Sequence, residues 1–332
     1  MLKNNIDGVL LLNKHHGLSS NAVLQKVKYA YNAKKAGHTG TLDPLATGLL
    51  PICFGEATKF STFLLNANKE YIACIKLGES TTTYDVMGDV VTKKSVNCSQ
   101  SQIYQVVASF LGKIWQIPPI YSALKVDGKR LYEYARAGED VAIKSRQVDI
   151  FELEILDFID SDTFKLRVLC SKGTYIRTLA HDIGQKLDCG AHLIGLIRSK
   201  TSGFSLNNEL TLDNICGLSE NERQALLLPV EILVKDLPRV SIDELQFAKV
   251  KNGHAFALNH NTFNPRDLYP QSAIPCYFRD SMDPPQLQAK INLYFVNRFL
   301  GVAEVMIVGS QVMLKPVRLM RLEYGKIPAI NI

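Results

Sequence analysis

Within the fourteen residues G37-H-T-G-T-L-D-P-L-A-T-G-L-L50, Asp43 is the sole acid, and His38 is the only other side chain able to carry charge. A carboxylate kept ionised and stripped of water can attack a carbon covalently or take a proton. Asp-Pro is also a common turn initiator, because the Asp side chain bonds nearby backbone and Pro44 fixes its own φ. Alone, Asp43 reads as a turn residue. Its neighbours argue the other way. Gly37, Gly40 and Gly48 let backbone or a bulky ligand approach without side-chain obstruction, and the run LATGLL that follows is helix-capable. An acid held by such a loop implies that something cationic or reactive meets it.

Other chemistries lack their signatures. The chain has no G-x-x-x-x-G-K-[ST], no strand-linked G-x-G-x-x-G, no H-E-x-x-H and no G-x-S-x-G. His181 and His192 lie eleven residues apart with no third ligand in view, so both are expected to be structural or solvent-facing, and no metal is expected. Seven cysteines, odd in number and without a C-x-x-C pair, are expected as reduced thiols, mostly in the core. Any reaction is expected to run on side chains and substrate, with no cofactor.

Composition sets the setting. Hydrophobic residues make up 46% and charged residues 21%, which fits a soluble globular protein and excludes global disorder. No apolar run approaches the roughly 18 to 20 residues of a membrane span. The N-terminal stretch has too short an apolar core for a signal peptide. A cytoplasmic protein is expected. Net charge is +6, unevenly spread. Residues 1–38 carry Lys3, Lys14, Lys26, Lys28, Lys34 and Lys35 against Asp7, and residues 113–146 add Lys113, Lys125, Lys129, Arg130, Arg136, Lys144 and Arg146 against four acids. Both blocks suit a polyanion, since each phosphate contact releases a condensed counterion. Charge alone leaves a solvated helix face equally open.

The elements that must position these residues read as a mixture. D7-GVLLLNK14 is a buried strand, and Ser19, Ser20 and Asn21 are capping types ahead of a helix with Val23, Leu24, Val27 and Tyr31 on its stripe. Y71-IACIKLG78 is a strand, and Gln100 to Leu111 a helix. Phe164, Leu166, Val168 and Cys170 alternate with Lys165 and Arg167, a half-buried strand. A turn at S171-K-G173 leads to a helix bearing Leu179, Ile183 and Leu187, with Gly190 as its stop. With no regular β-α repeat, the class is α+β. Residues 229–238 look like a connection. The tail changes character: Phe263 to Gln288 holds five prolines, and strands follow with turns near Asn297-Arg298 and Gly309-Ser310, suggesting a small β-barrel.

The motif G37-H-T-G-T-L-D-P-L-A-T-G48 resembles that of the bacterial tRNA pseudouridine-55 synthases, the TruB family. GVLLLNKHHGLSSN resembles the family's N-terminal element, K69-E-Y71 its K-x-Y, Y121-SALKVDGKRLYEYARAG138 its RNA-contacting insert, and S171-KGTYIRTL179 and C189-GAHL193 through Leu196 two further elements. The resemblance covers residues 8 to about 204. It implies a pseudouridine synthase fold with a small C-terminal PUA-like domain, divided as 1–240 and 241–332, with an insert at about 117–147. It implies that Asp43 is the catalytic aspartate, Arg177 its paired cation, and Tyr71 the aromatic that stacks on the target base and aids removal of the C5 proton. Tyr175 and Leu196 would line the nucleoside pocket, and His38 would hold the rearranged RNA loop. Lys14, Lys125, Lys129, Arg130, Arg136 and Arg198 are the expected RNA contacts. The expected partner is tRNA at uridine-55 of its T-arm, met by a monomer without cofactor or membrane.

This chain departs from the family pattern in places. His15 stands where a proline is usual, Ile197-Arg198 replaces Arg-Arg, and Thr82 replaces a common acid while Asp85 is retained. Two other functions remain open at this level. One is a tRNA-folding protein without chemistry. The other is a nucleoside hydrolase, which would need a second acid.

Overall fold

The computed structural model describes residues 3–208, 210–258, 289–308 and 311–321. It falls into two compact units. The first comprises Met1–Ile6, Leu10–Cys53 and Ser61–Leu227; the second comprises Asp7–Val9, Phe54–Phe60 and Leu228–Ile332.

A nine-stranded mixed sheet organises the first unit, its main path running Gly8–Lys14, Thr47–Phe54, Ala191–Thr201, Lys69–Leu77, Thr163–Cys170, Arg146–Phe158 and Gly112–Gln116. Ala36–His38 adds beside Thr47–Phe54, and Phe204–Ser205 beside Ala191–Thr201. The pairing of Ala191–Thr201 with Thr47–Phe54 is parallel, and its pairing with Lys69–Leu77 antiparallel. Lys69–Leu77 thus sits mid-sheet, and its apolar Ala73, Ile75 and Leu77 are buried. The alternation expected for residues 163–170 is present, with Phe164, Leu166, Val168 and Cys170 fully buried and Lys165 exposed.

Helices sit where caps and periodicity place them. Ser19 caps Ser20–Ala30 by accepting from the Ala22 N–H, and Ser99 with Gln102 forms a capping box on Gln100–Ala108. The helix Ile176–Lys186 buries Ile176, Leu179, Ala180 and Ile183. It ends before the expected Gly190, because Asp188 already turns left-handed at φ 56° and the Gly190 N–H reaches back to the Gly184 carbonyl. The helix-capable LATGLL is instead the start of the strand Thr47–Phe54. Gly48 at φ +100° and Pro51 disfavour a helix, and the strand pairs directly with Ala191–Thr201.

The insert begins as a loop at Pro118-Pro119, as expected. It then forms a hairpin between Lys125–Val126 and Lys129–Arg130. Asp127 and Gly128 make the connection at φ 50° and 82°, the left-handed pair that such a two-residue turn requires. The helix Leu131–Ala137 follows and stops at Gly138.

In the second unit, strands Arg239–Ser241, Lys290–Phe295, Arg298–Val308, Gln311–Leu319 and Phe256–Ala257 form a five-stranded sheet in that order, a curled half-barrel. The helix Glu244–Lys251 contributes Phe247 and Val250 to its core. Arg239–Ser241 pairs in parallel with Lys290–Phe295, so this body begins before residue 240. The stretch expected as a connection is a 3-10 turn, Val230–Val234, with Val230, Leu233 and Val234 buried. Buried Asn292 ties it down by donating to the Val234 and Leu237 carbonyls at 2.7 and 3.2 Å. The turn expected near Asn297-Arg298 lies at Val296-Asn297, both left-handed. The proline-rich stretch 263–288 and the turn near Gly309-Ser310 lie outside the described residues. No described helix is long and apolar enough to cross a membrane.

Gly48 is the tightest point between the motif loop and the sheet. A Cβ there would lie 2.4 Å from the Arg198 carbonyl oxygen, at a φ that L side chains rarely adopt. Gly48→Ala is expected to cost about 3 kcal/mol in urea unfolding, from overpacking plus backbone strain. A loss under about 0.5 kcal/mol, the level of an ordinary surface substitution, would show that the two strands separate freely there.

Candidate active site

Asp43 begins a tight turn after all. The Ala46 N–H bonds its carbonyl at 3.0 Å, with Pro44 at the second position. Buried side chains hold this turn from three sides. The Ser20 hydroxyl accepts from the Leu42 N–H at 2.7 Å and donates to the Leu42 carbonyl at 2.9 Å. The Pro44 carbonyl accepts from the Gly17 N–H at 2.8 Å and faces Lys14 Nζ at 3.5 Å. Arg198 donates to the Gly40 and Leu49 carbonyls at 3.1 and 2.7 Å.

The loop delivers the carboxylate to a cation. Arg177 Nε lies 2.9 Å from Asp43 Oδ2 and 3.5 Å from Asp85 Oδ2. Its Nη1 donates to the Thr83 carbonyl at 3.1 Å, and its Nη2 to the Tyr121 carbonyl at 2.9 Å. Arg177 sits in the first turn of Ile176–Lys186, where the helix dipole adds further positive potential. Asp85 is held in turn: its Oδ1 accepts from the Thr83 hydroxyl at 2.6 Å and the Met87 N–H at 3.0 Å. Burial pushes the Asp43 carboxyl up from its ordinary value; Arg177 opposes this, Asp85 adds to it, and Lys14 opposes it weakly. Its side chain nonetheless keeps 37% exposure. A carboxylate crowded on most sides yet open on one is dehydrated without being sealed.

Tyr71 stands mid-sheet on Lys69–Leu77, directly opposite Arg198 on one neighbour and Val168 on the other. Burial pushes this phenol up, against the pull of Arg198. Leu196 lies two residues from Arg198 on the same strand, buried and opposite Ala73. His38 ends the strand Ala36–His38 with its Nδ1 buried and unpartnered among the described residues; burial and then Arg198 push its pKa down, favouring the neutral ring. Tyr175 precedes the Arg177 helix. Its N–H donates to Gln116 Oε1 at 3.0 Å and its carbonyl accepts from Gln116 Nε2 at 3.2 Å, while Arg146 sits over its ring at 4.6 Å.

Two expected RNA contacts prove to be internal. Lys14 and Arg198 have no exposed surface. Lys14 Nζ donates to the His15 carbonyl at 2.8 Å, and burial lowers its pKa to about 8. Both cations are occupied with backbone carbonyls of the motif loop and its flanks, so neither presents charge to a phosphate. In the insert, Lys125, Arg130 and Arg136 are exposed. Arg130 and Arg136 flank the Tyr132 ring at 5.8 and 5.3 Å. Lys129 is partly covered and paired with Glu139 at 2.7 Å. His181 stacks on Tyr84 at 4.0 Å, and His192 Nδ1 meets the Glu79 carbonyl at 3.1 Å. Asp85 and Gln116 were not singled out as site residues. Asp85 had one sequence signal, its retention where a neighbouring acid is replaced; Gln116 had none.

Solved structures share this fold. A Cbf5–Nop10–Gar1 complex contains a chain 26% identical, with a TM-score of 0.66 over 94% of this chain and 84% of its own. An H/ACA ribonucleoprotein bound to a substrate RNA containing 2'-deoxyuridine gives a TM-score of 0.65 at 24% identity, over 94% of this chain and 84% of its own. Residues 28–176 match the N-terminal domain of the TruB family pseudouridylate synthases, and residues 177–235 match the tRNA pseudouridylate synthase B C-terminal domain. The tRNA pseudouridine synthase B of Methylobacillus flagellatus is 53% identical over 242 residues, 73% of this chain and 80% of that protein. That of Chromobacterium violaceum is 51% identical over 251 residues, 76% and 82% of the two chains. This chain belongs to the TruB family of pseudouridylate synthases.

Because the folded state favours protonated Asp43, the stabilisation that form brings is complete below the ordinary carboxylate range. It is lost as pH rises through the raised value. The ionised acid therefore weakens the fold at neutral pH. Asp43→Asn, neutral throughout, is expected to melt at or above wild type at about pH 7, with the advantage shrinking toward about pH 4. A variant that melts lower at neutral pH would mean that the Arg177 pairing outweighs dehydration.

Proposed function

We propose that this protein converts uridine-55 in the T-loop of tRNA to pseudouridine, without a cofactor, as a cytoplasmic monomer. The observation that carries this reading is the Asp43 carboxylate held 2.9 Å from buried Arg177 inside the motif loop. Relatives named tRNA pseudouridine synthase B supply the substrate class.

The reaction breaks the C1'–N1 bond of the uridine, turns the freed base, and joins C5 to C1'. Asp43 either attacks sugar or base, or takes a sugar proton to give a glycal; each route needs the ionised form. Dehydration alone would neutralise this acid. Arg177 keeps it charged without competing for its proton, since a guanidinium does not give one up. Tyr71 stacks on the target base and takes part in removing the C5 proton, whose bonding electrons return to the ring. Tyr175 and Leu196 line the nucleoside pocket. Neutral His38, with its free Nδ1, holds the rearranged RNA loop.

A uridine within a folded T-loop is reached only by extrusion. Aromatic stacking offsets part of that cost, about 1 to 3 kcal/mol per base. Lys125, Lys129, Arg130 and Arg136 of the insert hold the phosphate backbone during this step, Lys129 after exchanging Glu139 for phosphate.

Tritium release from unmodified tRNA carrying [5-³H]uridine tests the chemistry. Wild type is expected to release the label, with Asp43→Asn slower by about 10⁴-fold or more yet still binding tRNA. Binding without release by wild type would leave a tRNA-folding protein, and release of free uracil a hydrolase. The insert has its own test. Lys125→Glu with Arg130→Glu is expected to weaken tRNA binding and to flatten its salt dependence by roughly one to two units of slope. Equal affinity at low salt would remove the insert from the interface.

A further inference from the structure

Tyr175 is gripped by two side chains that stand directly opposite each other in the sheet. Gln116 ends the edge strand Gly112–Gln116 and Arg146 begins Arg146–Phe158, so the pair marks the two ends of the insert. Gln116 is buried, and its amide closes two bonds on the Tyr175 backbone: Oε1 accepts from the N–H at 3.0 Å, and Nε2 donates to the carbonyl at 3.2 Å. That carbonyl also accepts from the Leu179 N–H at 3.1 Å, the first bond of the helix that carries Arg177. Arg146 takes the ring. Its guanidinium lies 4.6 Å from the ring centroid, and its Nη2 donates to the Gly173 carbonyl. Its Nε is buried without a hydrogen-bond partner among the described residues. A guanidinium placed to satisfy its own donors would not leave one over, whereas one placed for an aromatic ring does.

We propose that Gln116 and Arg146 are positioning residues for the reaction: the first fixes the backbone of Tyr175, and the second fixes its ring. This rests on the reading that Tyr175 lines the nucleoside pocket. A ring left to turn would have to be ordered at each encounter, and the rate would carry that cost. Arg146 also belongs to the basic block that suits a polyanion. Salt separates the two employments. Losing a phosphate contact flattens the salt dependence of binding by about one unit of slope, and losing a positioning residue leaves it alone.

The test is a pair of double-mutant cycles read by single-turnover tritium release at saturating enzyme. Gln116→Met, Arg146→Ala and Tyr175→Leu are made singly, and each of the first two is combined with Tyr175→Leu. Affinity for tRNA, its salt slope and melting are followed throughout. Gln116→Glu keeps one of the two bonds and Arg146→Lys keeps the charge; they carry the test should the larger changes fail to fold. Expected are an unchanged salt slope, tRNA affinities within about twofold of wild type, and rates about tenfold lower for each single change at 116 and 146. In the Tyr175→Leu background the same changes are expected to cost about threefold or less. An equal fold loss in both backgrounds would overturn the proposal and leave the pair a brace of the sheet. So would wild-type rates, or a weakened affinity with a flatter slope in Arg146→Ala, which would make that residue a phosphate ligand. A wild-type rate in Tyr175→Leu would instead remove the role of the ring, a different failure, visible before either partner is changed.

Discussion

The site depends on one guanidinium placed between two acids. Arg177 meets Asp43 at 2.9 Å and Asp85 at 3.5 Å, with its remaining donors on the Thr83 and Tyr121 carbonyls. Dehydration drives Asp43 toward its neutral form, and the second acid adds to that drive. Arg177 resists most strongly, and Lys14 adds a smaller opposition. Asp85 is itself fixed by Thr83 and Met87, so the one guanidinium is shared between two acids. The proposed reaction needs the ionised form, which this shared cation favours against dehydration.

The remaining structure serves to bring that pair together. Asp43 comes from a loop before one strand, Arg177 from a helix start, Asp85 from a turn beyond another strand, and Tyr71 from mid-sheet. Regular hydrogen-bond ladders cannot fix such a meeting, because three of the four residues lie off the strands. Buried polar side chains do it instead: Ser20 and Arg198 on the motif loop, Gln116 on the backbone at Tyr175. Each is costly to leave unpaired, so each specifies one loop position and penalises others.

What could be read in the sequence follows from this division of labour. Strand 163–170 and the helix at 176–186 were legible because their apolar spacing reports which face is buried. Asp43, Arg177 and Tyr71 stand out through their motifs, and the structure places Arg177 2.9 Å from Asp43. Charge was legible only as a count. Lys14 and Arg198 looked like phosphate ligands, since composition does not distinguish a lysine in water from one bonded to carbonyls. Gln116 was silent for a related reason: its role is set by a partner fifty-nine residues away. LATGLL misled because Ala, Leu and Thr suit either element, and parallel pairing with residues 197–198 decided the matter. The second unit's early start is hard to read because Val230, Leu233 and Val234, though spaced i, i+3, i+4, fill a single turn between Pro229 and Pro238, too short to tell from a connection.

A place in a tight turn does not stop Asp43 from presenting its side chain. The turn spends its own backbone hydrogen bond, Ala46 N–H to the Asp43 carbonyl, and leaves the side chain out of it. Pro44 removes the φ freedom that would let the carboxylate wander. A flexible loop would have to order at the moment of reaction, and the barrier would carry that cost. A pre-formed turn, braced by Ser20 on one side and Arg198 on the other, has met it during folding. In the proposed reaction the dehydration of Asp43 works the same way: stability given up in the resting protein becomes reactivity toward the uridine.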